Sequence, residues 1–184
     1  MPARGGQVGD DRGEQVKYRE DYRKLHEQNA FAGLTLARFS DPVCKSLRAF
    51  QINTVLDFGS GTGASWEQDE DLKDLKKTVK VTLYDPGIPT HETLPDGPFD
   101  AVIAYDVLEH VPEDEIDGTL RDIFSRASKL VLLSFCPRGS KKKLPSTGED
   151  VHVTQRDREW WERRISHVNL SHGGPTVWFL YENP

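Results

Sequence analysis

The stretch from Thr54 to Gly63, TVLDFGSGTG, constrains this chain more than any other. Thr54, Val55 and Leu56 form a short β-prone apolar run of the kind that makes a buried parallel strand. Asp57 closes the run, and glycines follow at 59, 61 and 63. Glycine lets a backbone turn at positive φ and approach a ligand with no Cβ in the way. The sequence then becomes polar and helix-tolerant, which predicts strand, tight turn and helix. In open α/β sheets, ligands bind outside the carboxyl ends of the strands, where such turns lie.

The acid narrows the choice of ligand. A phosphate-cradling loop needs Lys-Ser or Lys-Thr after its last glycine, and Gly63 is followed by Ala64 and Ser65. A dinucleotide fingerprint reads G-x-G-x-x-G, whereas here every second residue is glycine. A carboxylate at the strand end repels a pyrophosphate but attracts an ammonium group, directly or through water. S-adenosylmethionine carries an α-ammonium and no phosphate. The stretch resembles motif I of the class I S-adenosylmethionine-dependent methyltransferases, whose form is close to hydrophobic-LD-x-G-x-G-x-G. The plainer alternative is an ordinary glycine turn.

With 184 residues, the chain has room for one domain with a proper core. No apolar run approaches the roughly 20 residues that span a bilayer, and the polar N-terminus predicts no secretory leader. Cys44 and Cys136 have no zinc spacing, so a reducing, cytoplasmic setting is expected. The net charge of −6 argues against a nucleic-acid polyanion as the main partner. Between Arg138 and Arg164, however, eight basic residues face five acidic ones. That segment either faces an anionic substrate or is a solvated loop and helix.

Residues 1–13 are expected to be a disordered tail, and 14–184 a single domain. Within it, 14–50 hold N-terminal helices, the first from Glu14 to Ala32 and the second opened by Asp41 as cap and Pro42. Tyr18 and Tyr22 on the first helix either touch the ligand or simply pack. Residues 54–135 form the cofactor-binding core. One helix is expected over Ala64 to Lys77, and Val79 to Tyr84 reads as the second strand, ending at Asp85. An acid there, about 20 residues past the glycine turn, can accept both hydroxyls of a ribose, as it does in the methyltransferases. Otherwise Asp85 simply starts the turn at Pro86-Gly87.

Only 14 residues separate Asp85 from Asp100, too few for the helix, strand and helix that a full family sheet has there. The third strand is therefore expected to be missing. The acid that often reads the adenine goes with it, leaving a backbone group near Thr93 or Leu94 to serve.

Phe99 to Pro112, FDAVIAYDVLEHVP, resembles the fourth-strand motif of small-molecule methyltransferases. It places Asp106 and Val107 where the methionine part of the cofactor meets the substrate, ahead of a helix from Pro112 to Ala127. His110 titrates near neutrality and can take a proton from a hydroxyl or amine, or it can be architectural. Glu109, His110 and a later histidine form a less favoured metal alternative, and no metal is expected. Lys129 to Phe135 is the fifth strand. Residues 136–165 then supply a substrate loop or lid and a helix, capped by Asp157 and ending near Ile165. One indole of Trp160-Trp161 is expected in the core and the other at the pocket. His152 is a second candidate base or a structural histidine. The LP…G…H…Q…WW pattern is similar to the tail of small phage-type methyltransferases. Residues 166–182 read as an antiparallel hairpin across Gly173-Gly174.

The resemblance implies an α/β fold, a Rossmann-like doubly wound sheet reduced to six strands in the order 2-1-4-5-7-6, mostly parallel with an antiparallel last strand. It implies S-adenosyl-L-methionine as cofactor, held by Asp57, Gly59, Ser60, Gly61, Gly63, Asp85, Pro86, Leu94, Asp106 and Val107. Methyl transfer to an oxygen or nitrogen of a small-molecule acceptor is the expected function, with His110 and His152 as candidate bases. The alternatives are a non-methylating cofactor binder and a nucleic-acid or protein methyltransferase. No membrane partner is expected, and the oligomeric state is open.

Overall fold

The computed structural model describes residues 18–172 and 174–181, with backbone alone at 170–172 and 179–181. The expected tail, residues 14–17 of the first expected helix and Gly173 lie outside the described residues. The chain opens with helix α1 (Arg19–Glu27) and, after a 3₁₀ turn at Leu36–Phe39, helix α2 (Ser40–Ala49). Asp41 sits inside the first turn of α2 and pairs with Lys45 at 2.8 Å, rather than capping the helix as expected. Strand β1 (Thr54–Phe58) leads into the glycine turn.

The single helix expected over 64–77 is divided into α3 (Ser65–Gln68) and α4 (Glu70–Leu75). Asp69 divides them: its backbone is extended, and its carboxylate accepts the Asp71 and Leu72 N–H groups at 3.1 and 3.0 Å. A carboxylate in that position satisfies donors that a helix start would otherwise leave orphaned. Strand β2 (Lys80–Tyr84) follows. Only a 3₁₀ turn at Pro89–His91 lies between it and strand β3 (Phe99–Ala104), so the third family strand is absent, as the short spacing predicts. Helix α5 (Ile116–Arg126) starts four residues later than expected, and strand β4 (Ala127–Phe135) follows it directly.

The C-terminal region departs from expectation. Residues 166–171 are not a strand but the continuation of helix α6 (Arg158–His172), which leads to the last strand, β5 (Thr176–Tyr181). Trp161, Ile165 and Val168 are buried at helical spacing against the sheet. That stripe outweighs the local alternation that suggested a strand. Fifteen helical residues rise about 22 Å, enough to return the chain along the six β4 residues that pair with β5. A strand reached by such a crossover runs parallel to the one before it. Accordingly β5 pairs with β4 in parallel, and the expected antiparallel strand and hairpin are not formed.

The described sheet has five strands, all parallel, in the order β2-β1-β3-β4-β5. One row of Cα partners crosses it through Val81, Val55, Ala101, Leu130 and Thr176. The central strands are buried on both faces, which explains their continuous apolar runs. Leu56, Val102, Val131 and Leu133 pack under α5 and α6. Val55, Ile103, Leu130 and Leu132 pack under α2 and α4. No described helix is long and apolar enough to cross a membrane.

A third, smaller cluster forms where Leu25 of α1 meets Leu144 and Val151 of the 136–157 segment. Buried Asp21 reinforces it, accepting the Ser146 N–H at 2.8 Å and the Ser146 hydroxyl at 2.5 Å. These two elements form a roof over the carboxyl ends of the strands.

Candidate active site

Beneath that roof lies a cavity of about 520 Å³, within the size range of small-ligand sites. The ends of β1, β2 and β3 each bring an acid to it: Asp57, Asp85 and Asp106. The glycine turn forms the floor, with φ of 78°, 55° and 72° at Gly59, Gly61 and Gly63. The Gly59 and Ser60 N–H groups both donate to the Tyr84 carbonyl, at 2.7 and 3.0 Å, and so tie the turn to the end of β2.

The glycines serve different ends. A Cβ on Gly59 would lie 2.5 Å from Val107 Cγ2, and one on Gly63 would lie 2.5 Å from Leu83 Cδ1. Gly63 is thus set back from the cavity, packed on β2, while Gly59, Ser60 and Gly61 line it. Gly59→Ala is expected to cost about 1–2 kcal/mol for the left-handed backbone and about 1–3 kcal/mol for the overpacking. Denaturant titration of Gly59→Ala and of Gly59→Ala/Val107→Ala checks this. The second change should recover the overpacking part and leave the backbone part. Equal stabilities for Gly59→Ala and the parent would refute this account.

Asp57 is 6% exposed, and its carboxylate accepts the Trp66 indole N–H at 2.7 Å. Burial pushes its pKa up to about 7 against the opposing Trp66 hydrogen bond, and the nearby Asp85 charge adds to the rise. Asp85 is held from three sides. Gly61 N–H donates to Oδ2 at 2.8 Å, Gly87 N–H donates to Oδ1 at 2.8 Å, and His26 Nε2 stands 3.6 Å from Oδ1. Burial alone would raise this carboxyl, but His26 and the two N–H groups outweigh burial and hold it below the usual carboxylate value. Two carboxylate oxygens offer about four acceptor sites, so Asp85 retains capacity toward the cavity.

At the other end of the cavity, Asp106 takes a left-handed backbone, φ 58°, and donates its N–H to Ser134 Oγ at 2.9 Å. Thr35 Oγ1 donates to its carboxylate at 3.3 Å. His110 stands against Tyr22 and Phe31, edge to face, with Nδ1 at 3.0 Å from the Val151 carbonyl. The Tyr22 hydroxyl donates to the His110 and Val151 carbonyls at 3.0 and 3.3 Å. His152 lies behind His110, ring centroids 4.8 Å apart at 90°, with Nδ1 2.6 Å from the Arg138 carbonyl. Burial pushes the His110 pKa down, and positive charge on His152 would push it further, so neutral imidazole is favoured. Glu109 is fully buried beside Asp106, and burial followed by the Asp106 charge drives its carboxyl well above the usual range.

Most residues implied by the resemblance therefore meet at one cavity. Pro86, Val107 and His110 line it together with the three acids and the front of the glycine turn. Neither Thr93 nor Leu94 lines it. Leu94 packs on the α5 side of the core, and Arg126 Nε donates to the adjacent Pro95 carbonyl at 2.9 Å. Tyr22 reaches the site but Tyr18 does not line it. Trp161 is the core indole, whereas Trp160 lies under the Arg156 and Arg164 guanidiniums, away from the cavity.

Two contributors were missed in the sequence, His26 beside Asp85 and Thr35 beside Asp106. A histidine on the apolar side of an N-terminal helix gives a signal for packing, not for the partner 59 residues away. The basic segment is largely neutralised: Lys143, Arg156, Arg158, Arg163 and Arg164 each pair with an acid.

A five-stranded parallel sheet with a glycine turn and an acid at the mouth of each of three strands defines the class I methyltransferase architecture. A family model described as a methyltransferase domain matches residues 19–172, and the chain belongs to that family. No curated protein matches the chain. The protein is an S-adenosylmethionine-dependent methyltransferase with a reduced sheet.

Proposed function

We propose that this chain binds S-adenosylmethionine across the mouths of β1 and β2 and transfers its methyl group to an oxygen or nitrogen of a small-molecule acceptor. Asp57 faces the α-ammonium, Asp85 accepts from the ribose hydroxyls, and the Gly59-Ser60-Gly61 backbone lies against the methionine chain. The carrying observation is the single roofed cavity in which all three strand-end acids meet. The acceptor then occupies the end bounded by Asp106 and His110. The roof of α1 and the 136–157 segment favours a small acceptor over a polymer, and the paired basic residues support the same choice. The two free thiols, Cys44 buried and Cys136 partly so, support a reducing, cytoplasmic setting.

The sulfonium is an activated electrophile, so positioning the acceptor in line with the S–CH₃ bond and excluding water supply much of the rate. A neutral His110 can take the acceptor proton as the new bond forms. Calorimetry with S-adenosylhomocysteine tests the cofactor half, and transfer of labelled methyl to the low-molecular-weight fraction of a cell extract tests the acceptor half. Label appearing only in nucleic acid or protein would refute the small-molecule reading, and binding with no transfer would mark a non-methylating binder.

A further inference from the structure

Resting on the cofactor reading above, the acceptor end of the cavity has a donor set that methyl transfer alone does not require. One potential ligand atom each from Asp106, His110 and His152 lie within 4.8 Å of one another, the one such group among the described residues. Three separate features point these groups at a common occupant. First, both imidazoles commit Nδ1 to a backbone carbonyl, His110 to Val151 and His152 to Arg138. A neutral ring that donates from Nδ1 carries its lone pair on Nε2, and this outer bond to a carbonyl is how metal-binding histidines are oriented.

Second, Glu109 is fully buried next to Asp106. Its Oε1 accepts the Cys136 N–H at 2.7 Å, while its Oε2 is buried with no protein donor, so that only a proton shared with Asp106 relieves the pair in the empty site. An orphan carboxylate oxygen next to a second carboxylate is costly unless a cation or a shared proton sits between them. Third, Asp106 reaches this place through a left-handed backbone, a conformation that persists only where its surroundings hold it.

We propose that Asp106, His110 and His152 bind a divalent first-row transition metal ion beside the acceptor end of the cavity, each imidazole through Nε2, with the buried Glu109 carboxyl next to Asp106. Two imidazoles and one or two carboxylates suit zinc, cobalt, manganese or iron rather than calcium, which takes oxygen ligands alone. Three protein ligands leave positions open toward the cavity. An acceptor hydroxyl occupying one loses its proton more readily, to water, so that with the metal bound His110 serves as ligand and not as base. Its oxygen then bonds to the methyl carbon while the C–S pair returns to sulfur, giving the methyl ether, S-adenosylhomocysteine and the released proton. The acceptor class this selects is a hydroxyl compound.

Cobalt(II) added to untagged, chelator-treated protein is expected to bind one to one and to develop visible ligand-field absorption, with zinc(II) displacing it. Asp106→Asn and His152→Ala should each weaken uptake at least 100-fold, and His152→Asn guards against a packing defect in the alanine variant. Circular dichroism and S-adenosylhomocysteine calorimetry on the same samples show whether each variant is folded and binds the nucleoside. No absorption and no zinc heat in the parent, or equal uptake in folded variants, overturns the metal site. Metal uptake without nucleoside binding would instead refute the cofactor reading and leave the metal site standing.

Discussion

Asp85→Ala is expected to lose between about 150- and 25,000-fold in affinity for S-adenosylhomocysteine. Two hydroxyls donating to one ionised carboxylate contribute about 1.5–3 kcal/mol each, and both bonds vanish together. The loss extends to the protein itself, because Gly61 and Gly87 donate their N–H groups to the same carboxylate. Asp85→Asn separates the two effects. Its one amide oxygen still accepts a bond, so it should fall between parent and alanine variant in both affinity and melting temperature. Calorimetry of the three proteins at one pH decides the matter. An alanine variant that binds within threefold of the parent would remove Asp85 from the ribose.

The second large effect is a pH dependence centred on Asp57. With its pKa raised to about 7, the unliganded site holds a neutral carboxyl below neutrality, while an ammonium ligand requires the ionised form. Affinity should therefore fall with a slope that approaches tenfold per pH unit below 7, or about 15-fold between pH 7 and pH 5.5. Above about pH 8 the ligand's own α-ammonium loses its proton, so the profile is a bell with a narrow top. For stability the sign is opposite to that of an ordinary paired carboxylate. The unfolded Asp57 releases its proton near its normal value of 3.8, and the folded one not until about 7. Unliganded stability thus falls as pH rises through that window and is level above it. Asp57→Asn should flatten both curves on the acid side. Calorimetry at pH 5.5, 6.5, 7.5 and 8.5, in two buffers of different ionisation enthalpy, also counts the proton released on binding. Equal affinity at pH 5.5 and 7.5 in the parent would rule out an Asp57–ammonium contact.

Strand-end chemistry was the part most legible in the sequence. A run such as TVLDFGSG contains both the apolar strand and the reason it stops, so β1, the turn and Asp57 are local facts. The same holds for FDAVIAYD and β3. The short Pro- and Gly-rich link after Asp85 was equally legible, since a helix, a strand and a second helix do not fit in 14 residues. The C-terminal half of α6 was not. Residues 166–171 alternate well enough for a strand, and only Trp161, upstream, reveals the helical stripe that Ile165 and Val168 continue. The direction of β5 depended on that error, because a long helix returns the chain and a tight turn does not. The roof was also hidden. Contacts such as Asp21 with Ser146 join residues 125 positions apart and leave no periodic trace. The grouping of Asp106, His110 and His152 follows from the same long-range closure.

The contact between His26 and Asp85 gives α1 a thermodynamic part in ligand capture. This helix is outside the sheet-and-helix core, seated on a small cluster of its own, yet it stands against the very carboxylate proposed to receive the sugar. Seating the helix and filling the cavity are thus two ends of one linkage. Whatever factor the nucleoside adds to the docked population, docking must return as tighter nucleoside binding.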